Sequence, residues 1–117
     1  MMSKAQSYLD EINRGYLSTR KLRFKIVLHL MEMGSDYVSN MGRIFDVNKK
    51  TVENICKRLE SVGLLKSYWD MIDNDSESPP KTVKKYMINS DMSFEDHEEI
   101  KNKVEDAFQE SFYSYPF

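Results

Sequence analysis

Only one of the 117 residues is a cysteine, Cys56, so a disulfide framework and a thiolate-rich metal cluster are both excluded. The four glycines are scattered and form no Gly-rich phosphate loop. No apolar run approaches the roughly 18 residues of a membrane span. The opening stretch MMSKAQSYLDEINRG has no apolar h-region, so no secretory signal is expected. The two histidines, His29 and His97, are far apart. Asp96-His97-Glu98-Glu99 is the one stretch with several ligand types, and without thiolate partners no metal or other cofactor is expected. The length suits a single domain over residues 1–117, not a multidomain enzyme. The expectation is a non-enzymatic cytoplasmic protein with no membrane partner.

What is present is a charge divided along the chain. The net charge is -2, but residues 1–69 hold 12 Lys+Arg against 7 Asp+Glu, whereas residues 70–117 hold 5 against 12. Such a chain can turn a basic face to a polyanion while keeping acid elsewhere, so the low net charge does not exclude nucleic acid.

Periodicity predicts a helix over 3–15, with Ala5, Tyr8, Leu9 and Ile12 on one stripe and Gly15 as its stop. Ser18 or Thr19 is expected to cap a second helix ending near Met33. Its Leu22, Ile26, Val27, Leu30, Met31 and Met33 cover a wide arc, as in a central helix. His29 falls at the edge of that core. Tyr37 and Val38 read as a short strand, and Ser39 as the cap of a short helix through Phe45. Asp46-Val47-Asn48 make a tight turn, and Lys49 to Val62 form the next helix, ended by Gly63. Leu64–Ile72 and Thr82–Ile88 read as a hairpin with an acidic, proline-containing tip. Tyr68 and Trp69 are expected to pack within it. Ser93 is expected to cap a last helix over 93–111.

Advancing 100° per residue along Lys49–Val62 puts Val52, Ile55, Cys56, Leu59 and Val62 on one face. Lys50, Asn54, Lys57 and Ser61 fall opposite. The first set is a core seam, which would leave Cys56 inert. The second suits either solvent or the DNA major groove, where Asn pairs with adenine and Lys reaches guanine or phosphate. Lys49, Lys50 and Thr51 lie in the first turn, the part that such a helix aims at base edges. Lys66, Lys81, Lys84 and Lys85 are candidates for backbone phosphates, and Ser39 completes the DNA-binding set. Asp70, Asp73, Asp75 and Glu77 at the tip would be repelled by phosphate. Arg20, Lys21, Arg23 and Lys25 form a further basic cluster, suited equally to flanking DNA or to solvent.

The order helix, short helix, turn, helix, hairpin, together with VSNMGRIFDVNKKTVENICKRLESVGLL, resembles the winged helix-turn-helix superfamily, the MarR and ArsR-like regulators in particular. The resemblance covers residues 20–90. Leu59-Glu60-Ser61-Val62-Gly63-Leu64-Leu65 is similar to the segment that joins the recognition helix to the wing in those families. Gly42 stands where they keep a small residue, and Asn48 matches the recognition-helix cap. Asp46 stands where many members have glycine, and Asp tolerates a left-handed backbone. The resemblance implies a mainly α fold with a small β-hairpin and extra N- and C-terminal helices. It also implies a sequence-specific double-stranded DNA-binding regulator. Two other roles stay open: a centromere-binding adaptor of TubR-type plasmid partition with a filament-forming NTPase partner (or a replication protein), and a winged helix that binds only protein.

The last helix carries Ile100, Val104, Ala107 and Phe108 on a narrow stripe, and the first carries Leu9 and Ile12. Lying outside the winged core, the two stripes are expected to form a homodimer interface, matching palindromic sites.

Overall fold

The computed structural model describes residues 4–15, 17–72 and 79–113. Five helices and three strands follow in the order α1 (Lys4–Ile12), α2 (Leu17–Met33), β1 (Ser35–Tyr37), α3 (Val38–Phe45), α4 (Lys49–Ser61), β2 (Leu65–Ile72), β3 (Lys81–Ile88) and α5 (Phe94–Tyr113). The strands form one antiparallel sheet with β3 in the middle, in the order β1-β3-β2. This mostly helical chain with a small sheet has the layout of a winged helix-turn-helix with an added helix at each end. None of the described helices is long and apolar enough to cross a membrane.

α2 is the axis of the core. Leu22, Phe24, Ile26, Val27 and Leu30 are all buried, and they cover more than one face of the helix. One side receives α1 and α5, and another receives the sheet. Phe24 joins this core although its position lies off the expected arc. Met33, expected within it, is 67% exposed at the helix end. α2 begins at Leu17, so Ser18 and Thr19 lie inside the helix and are not its cap.

The expected dimer surface is used within the chain. Ala5, Leu9 and Ile12 of α1 and Ile100 and Val104 of α5 are buried in the chain's own core. Each of the four larger side chains, Leu9, Ile12, Ile100 and Val104, contributes about 1.5–3 kcal/mol when removed from water. Leu9, Ile12, Ile100 and Val104 are therefore not available to a second copy. The side chains of Ala107 and Phe108 lie outside the described residues. α1 is further fastened by two arginines. Arg23 Nε donates to the Ile12 carbonyl at 2.8 Å, filling one of the acceptors that a helix end leaves open. Arg58 Nε donates to Glu11 at 2.6 Å, and that bond holds the Glu11 carboxyl below its ordinary range. Arg23 thus serves the α1–α2 corner.

Corners follow local chemistry. Ser93 Oγ accepts from the Asp96 N–H at 3.1 Å, as expected of the α5 cap. Gly63, at φ +91°, takes the left-handed conformation that ends α4, and Asn89 ties the corner by donating its Nδ2 to the Gly63 carbonyl at 2.9 Å. At α3 the expectation fails: the helix starts at Val38, its cap position is Tyr37, and Ser39 is already inside. The polar group that serves this start is Asp36, which is buried. Its Oδ1 accepts from the Tyr37 N–H at 2.7 Å. Its Oδ2 accepts from Asn40 Nδ2 at 2.8 Å and lies 2.7 Å from His29 Nε2. His29 is at the core edge, with its ring edge-on to Phe45.

Candidate nucleic-acid interface

The α3–α4 turn sets the direction of α4. Asp46 takes the left-handed conformation at φ 55° without being glycine. The Val47 N–H then donates to the Gly42 carbonyl at 2.9 Å. A Cβ on Gly42 would stand 3.1 Å from the Val47 carbonyl oxygen and 3.5 Å from Lys49 Cα. The absent side chain therefore lets α3 approach the start of α4. Asn48 caps α4, its Oδ1 accepting from the Lys50 N–H at 2.7 Å.

Val52, Ile55, Cys56 and Leu59 are buried, while Lys49, Lys50, Thr51, Asn54, Lys57, Arg58 and Ser61 are exposed. The expected division of α4 into a seam and a polar stripe is the observed one. Burial pushes the Cys56 thiol up to about 12, with nearby Glu60 adding to it. A thiol reagent at mildly alkaline pH is accordingly expected to leave Cys56 unmodified in the native protein and to react once urea unfolds it. Rapid native labelling, followed by mass spectrometry, would mean that α4 is rotated from this orientation.

A carboxylate that periodicity did not single out sits beside the stripe. Glu53 pairs with Lys57 at 2.8 Å and with Lys50 at 3.7 Å, and the Lys57 hydrogen bond holds its carboxyl below the ordinary range. The spacing alone, i to i+4 and i to i-3, is the signal that identifies such pairs.

The wing lysines divide. Pairing runs from Leu65↔Ile88 to Ile72↔Lys81, so alternation puts Leu65, Ser67, Trp69 and Met71 on one face with Thr82, Lys84, Tyr86 and Ile88. That face looks toward α4: Ser67 Oγ donates to Glu60, and Lys84 lies 3.9 Å from Glu60 and 5.5 Å over the Tyr86 ring. Lys66 and Lys85 occupy the other face, paired with Asp91 at 2.6 Å and Asp70 at 2.9 Å. They do not face α4. Lys84 does, lining an open groove together with Ser39, Lys49, Lys57 and Trp69. Lys81, the first residue of β3, has the parity of Lys85 but also lines this groove. Its volume is about 230 Å³, below the roughly 300–1,000 Å³ of ordinary small-molecule sites. Tip residues Asp73, Asp75 and Glu77 lie outside the described residues. Asp70 is described, and its carboxyl is held low chiefly by Lys85.

Among the described residues, no three His, Cys, Asp or Glu side chains converge as metal ligands would. His97 Nδ1 lies 4.0 Å from Glu98 on α5.

Compared with known proteins, residues 14–84 match the model of a family described as an uncharacterized protein conserved in archaea (DUF2250). The match begins two residues after α1 and runs into β3, and so includes the whole α2–α4 unit. No curated protein matches the chain.

Proposed function

We propose that this chain, which belongs to the archaeal family DUF2250, is a double-stranded DNA-binding protein of the winged helix-turn-helix superfamily that reads its site with α4. The observation that carries this reading is the exposed stripe of Lys50, Asn54, Lys57 and Ser61, with Lys49 and Thr51 exposed in the first turn, held outward by a buried seam on the opposite face of the same helix. A helix of this kind fits the major groove, and its small polar and cationic side chains match base edges and phosphates. Lys49, Lys84 and Lys81 extend the cationic surface from α4 onto the wing. The role that follows is a cytoplasmic transcriptional regulator acting by occupancy, a binding protein and not a catalyst. Recognition of a palindrome would call for a homodimer, assembled through residues other than the Leu9/Ile12 and Ile100/Val104 stripes.

Two substitutions on one stripe test the reading, because they remove different things. Asn54 has no charge, so a contact from it to a base is lost as specificity. Asn54→Ala is expected to cost about 1–3 kcal/mol on a selected site and much less on random DNA. Lys57→Ala is expected to weaken all sequences alike and to lower the salt slope by about one unit. Salt titrations of wild type and both variants on a selected duplex and on random duplex provide the comparison. If neither change alters binding to any duplex, α4 is not the reading helix and this face is a protein contact.

A further inference from the structure

Trp69 is the only tryptophan of the chain, and it is 70% exposed. The expectation that it packs within the hairpin is not met. A large aromatic ring held in water forgoes the burial that ordinarily places it inside and leaves a flat apolar face open to an occupant. It stands opposite Lys84 in the strand register and forms a wall of the groove between α4 and the wing. Among the described residues, Lys49, Lys57, Lys81 and Lys84 line that groove with a single carboxylate, Glu53. Thr82 and Ser39 add hydroxyls.

A flat apolar wall within an excess of cations is complementary to a nucleic-acid strand whose bases are unstacked. The ring takes a base face, and the ammonium groups take the phosphates. A duplex offers base edges in its grooves and keeps base faces covered, so it leaves the indole unused. Lys57 and Lys84 have Glu53 and Glu60 beside them; an apolar peptide would still leave Lys49 and Lys81 without counter-charge from the described residues, and a purely acidic one would leave the ring exposed. We propose that this groove binds an unpaired nucleotide, with its base stacked on Trp69 and the adjoining phosphates on Lys49, Lys57 and Lys81. This goes beyond the duplex reading, which rests on the Lys50 and Asn54 side of α4. The two surfaces meet at Lys49 and Lys57.

Because the tryptophan is unique, its fluorescence reports on this site alone. Three probes are titrated into the full chain: an oligothymidylate of about ten nucleotides, an abasic oligomer of the same length, and a duplex. Binding of each is followed in parallel by gel retention. The oligothymidylate is expected to quench Trp69 saturably, and the effect should weaken with salt. Trp69→Ala is expected to bind it about tenfold more weakly, and Trp69→Phe to keep most of the affinity. The abasic oligomer should bind wild type no more tightly than oligothymidylate binds Trp69→Ala. The residue is exposed, so both variants should melt with the wild type, and the wild-type quenching stands independently of them. Absence of quenching by oligothymidylate, quenching by duplex alone, or an unchanged affinity in Trp69→Ala overturns the proposal. Where duplex retention persists in those same samples, the α4 reading survives without it. Where oligothymidylate binds as expected and no duplex is retained, the α4 reading falls and the groove stands.

Discussion

Alanine at Ile100 is expected to destabilise the protein by about 2–5 kcal/mol, the range for deleting a large aliphatic side chain from a packed site. Ile100 is completely buried, as are Val104, Ile12 and Ala5. Its loss leaves a cavity where α5 meets the rest of the core, not a small change at a rim. Domains of this size have about 5–15 kcal/mol in total, so the single substitution removes a large part of the margin. Deleting residues 92–117 removes Ile100 and Val104 together and is expected to give protein that is unfolded or insoluble. Urea denaturation of Ile100→Ala and light scattering of the truncated chain make the comparison. A truncated chain that stays folded and soluble would show that α5 is peripheral to the core, contrary to its burial.

The second large effect is expected at Asp36. It is the buried carboxylate at the start of α3, with the Tyr37 N–H, Asn40 Nδ2 and His29 Nε2 all within 2.8 Å of its oxygens. Asp36→Ala removes the shared acceptor and strands those groups in a place that water reaches poorly. The expected cost is about 3 kcal/mol, because an unsatisfied buried donor loses its desolvation free energy in full. Asp36→Asn keeps one oxygen acceptor and should cost less. A chemical denaturation series on both variants would decide. If Asp36→Ala stays within about 0.5 kcal/mol of wild type, as a surface substitution does, the network contributes nothing to holding α3.

The contrast between these residues shows what the sequence could disclose. α4 was legible in full. Its seam repeats at helical spacing, Asn48 is a strong cap residue, and Gly63 supplies the left-handed stop. Each of those signals is local and acts within one or two turns of chain. The hairpin was legible for the same reason. The stripes on α1 and α5 were equally visible, but periodicity states only that a face is apolar and does not say what covers it. The answer lay in α2, whose buried side chains reach around the helix and leave room for neighbours on more than one side. Asp36 was missed because Ser39 is the more usual cap type three residues later. What favours Asp36 is a histidine seven residues upstream, brought close only by the turn after α2. The wing lysines were chosen by charge. Which of them face α4 depends on strand alternation and on carboxylates such as Asp91 and Glu60, a register that composition does not carry. Trp69 has the residue type of a packed position, and only the open side of the hairpin leaves it in water.

β3 belongs to two partnerships at once. From Lys85 to Met87 it is flanked on both sides, by β1 and by β2. From Lys81 to Lys84 it has β2 alone. Those four residue pairs span roughly 13 Å at the usual rise of a strand. A two-stranded hairpin has only marginal stability of its own, so the outer part, paired on one side only, is the softer. The inner part is clamped by the same three residues, Ser35 to Tyr37, that lead into α3. The wing is therefore a tapered spring with its stiff root bolted to the helical body. Its compliant stretch carries Trp69 and Lys81, so a surface pressing on that stretch bends the ribbon before it disturbs the setting of α4.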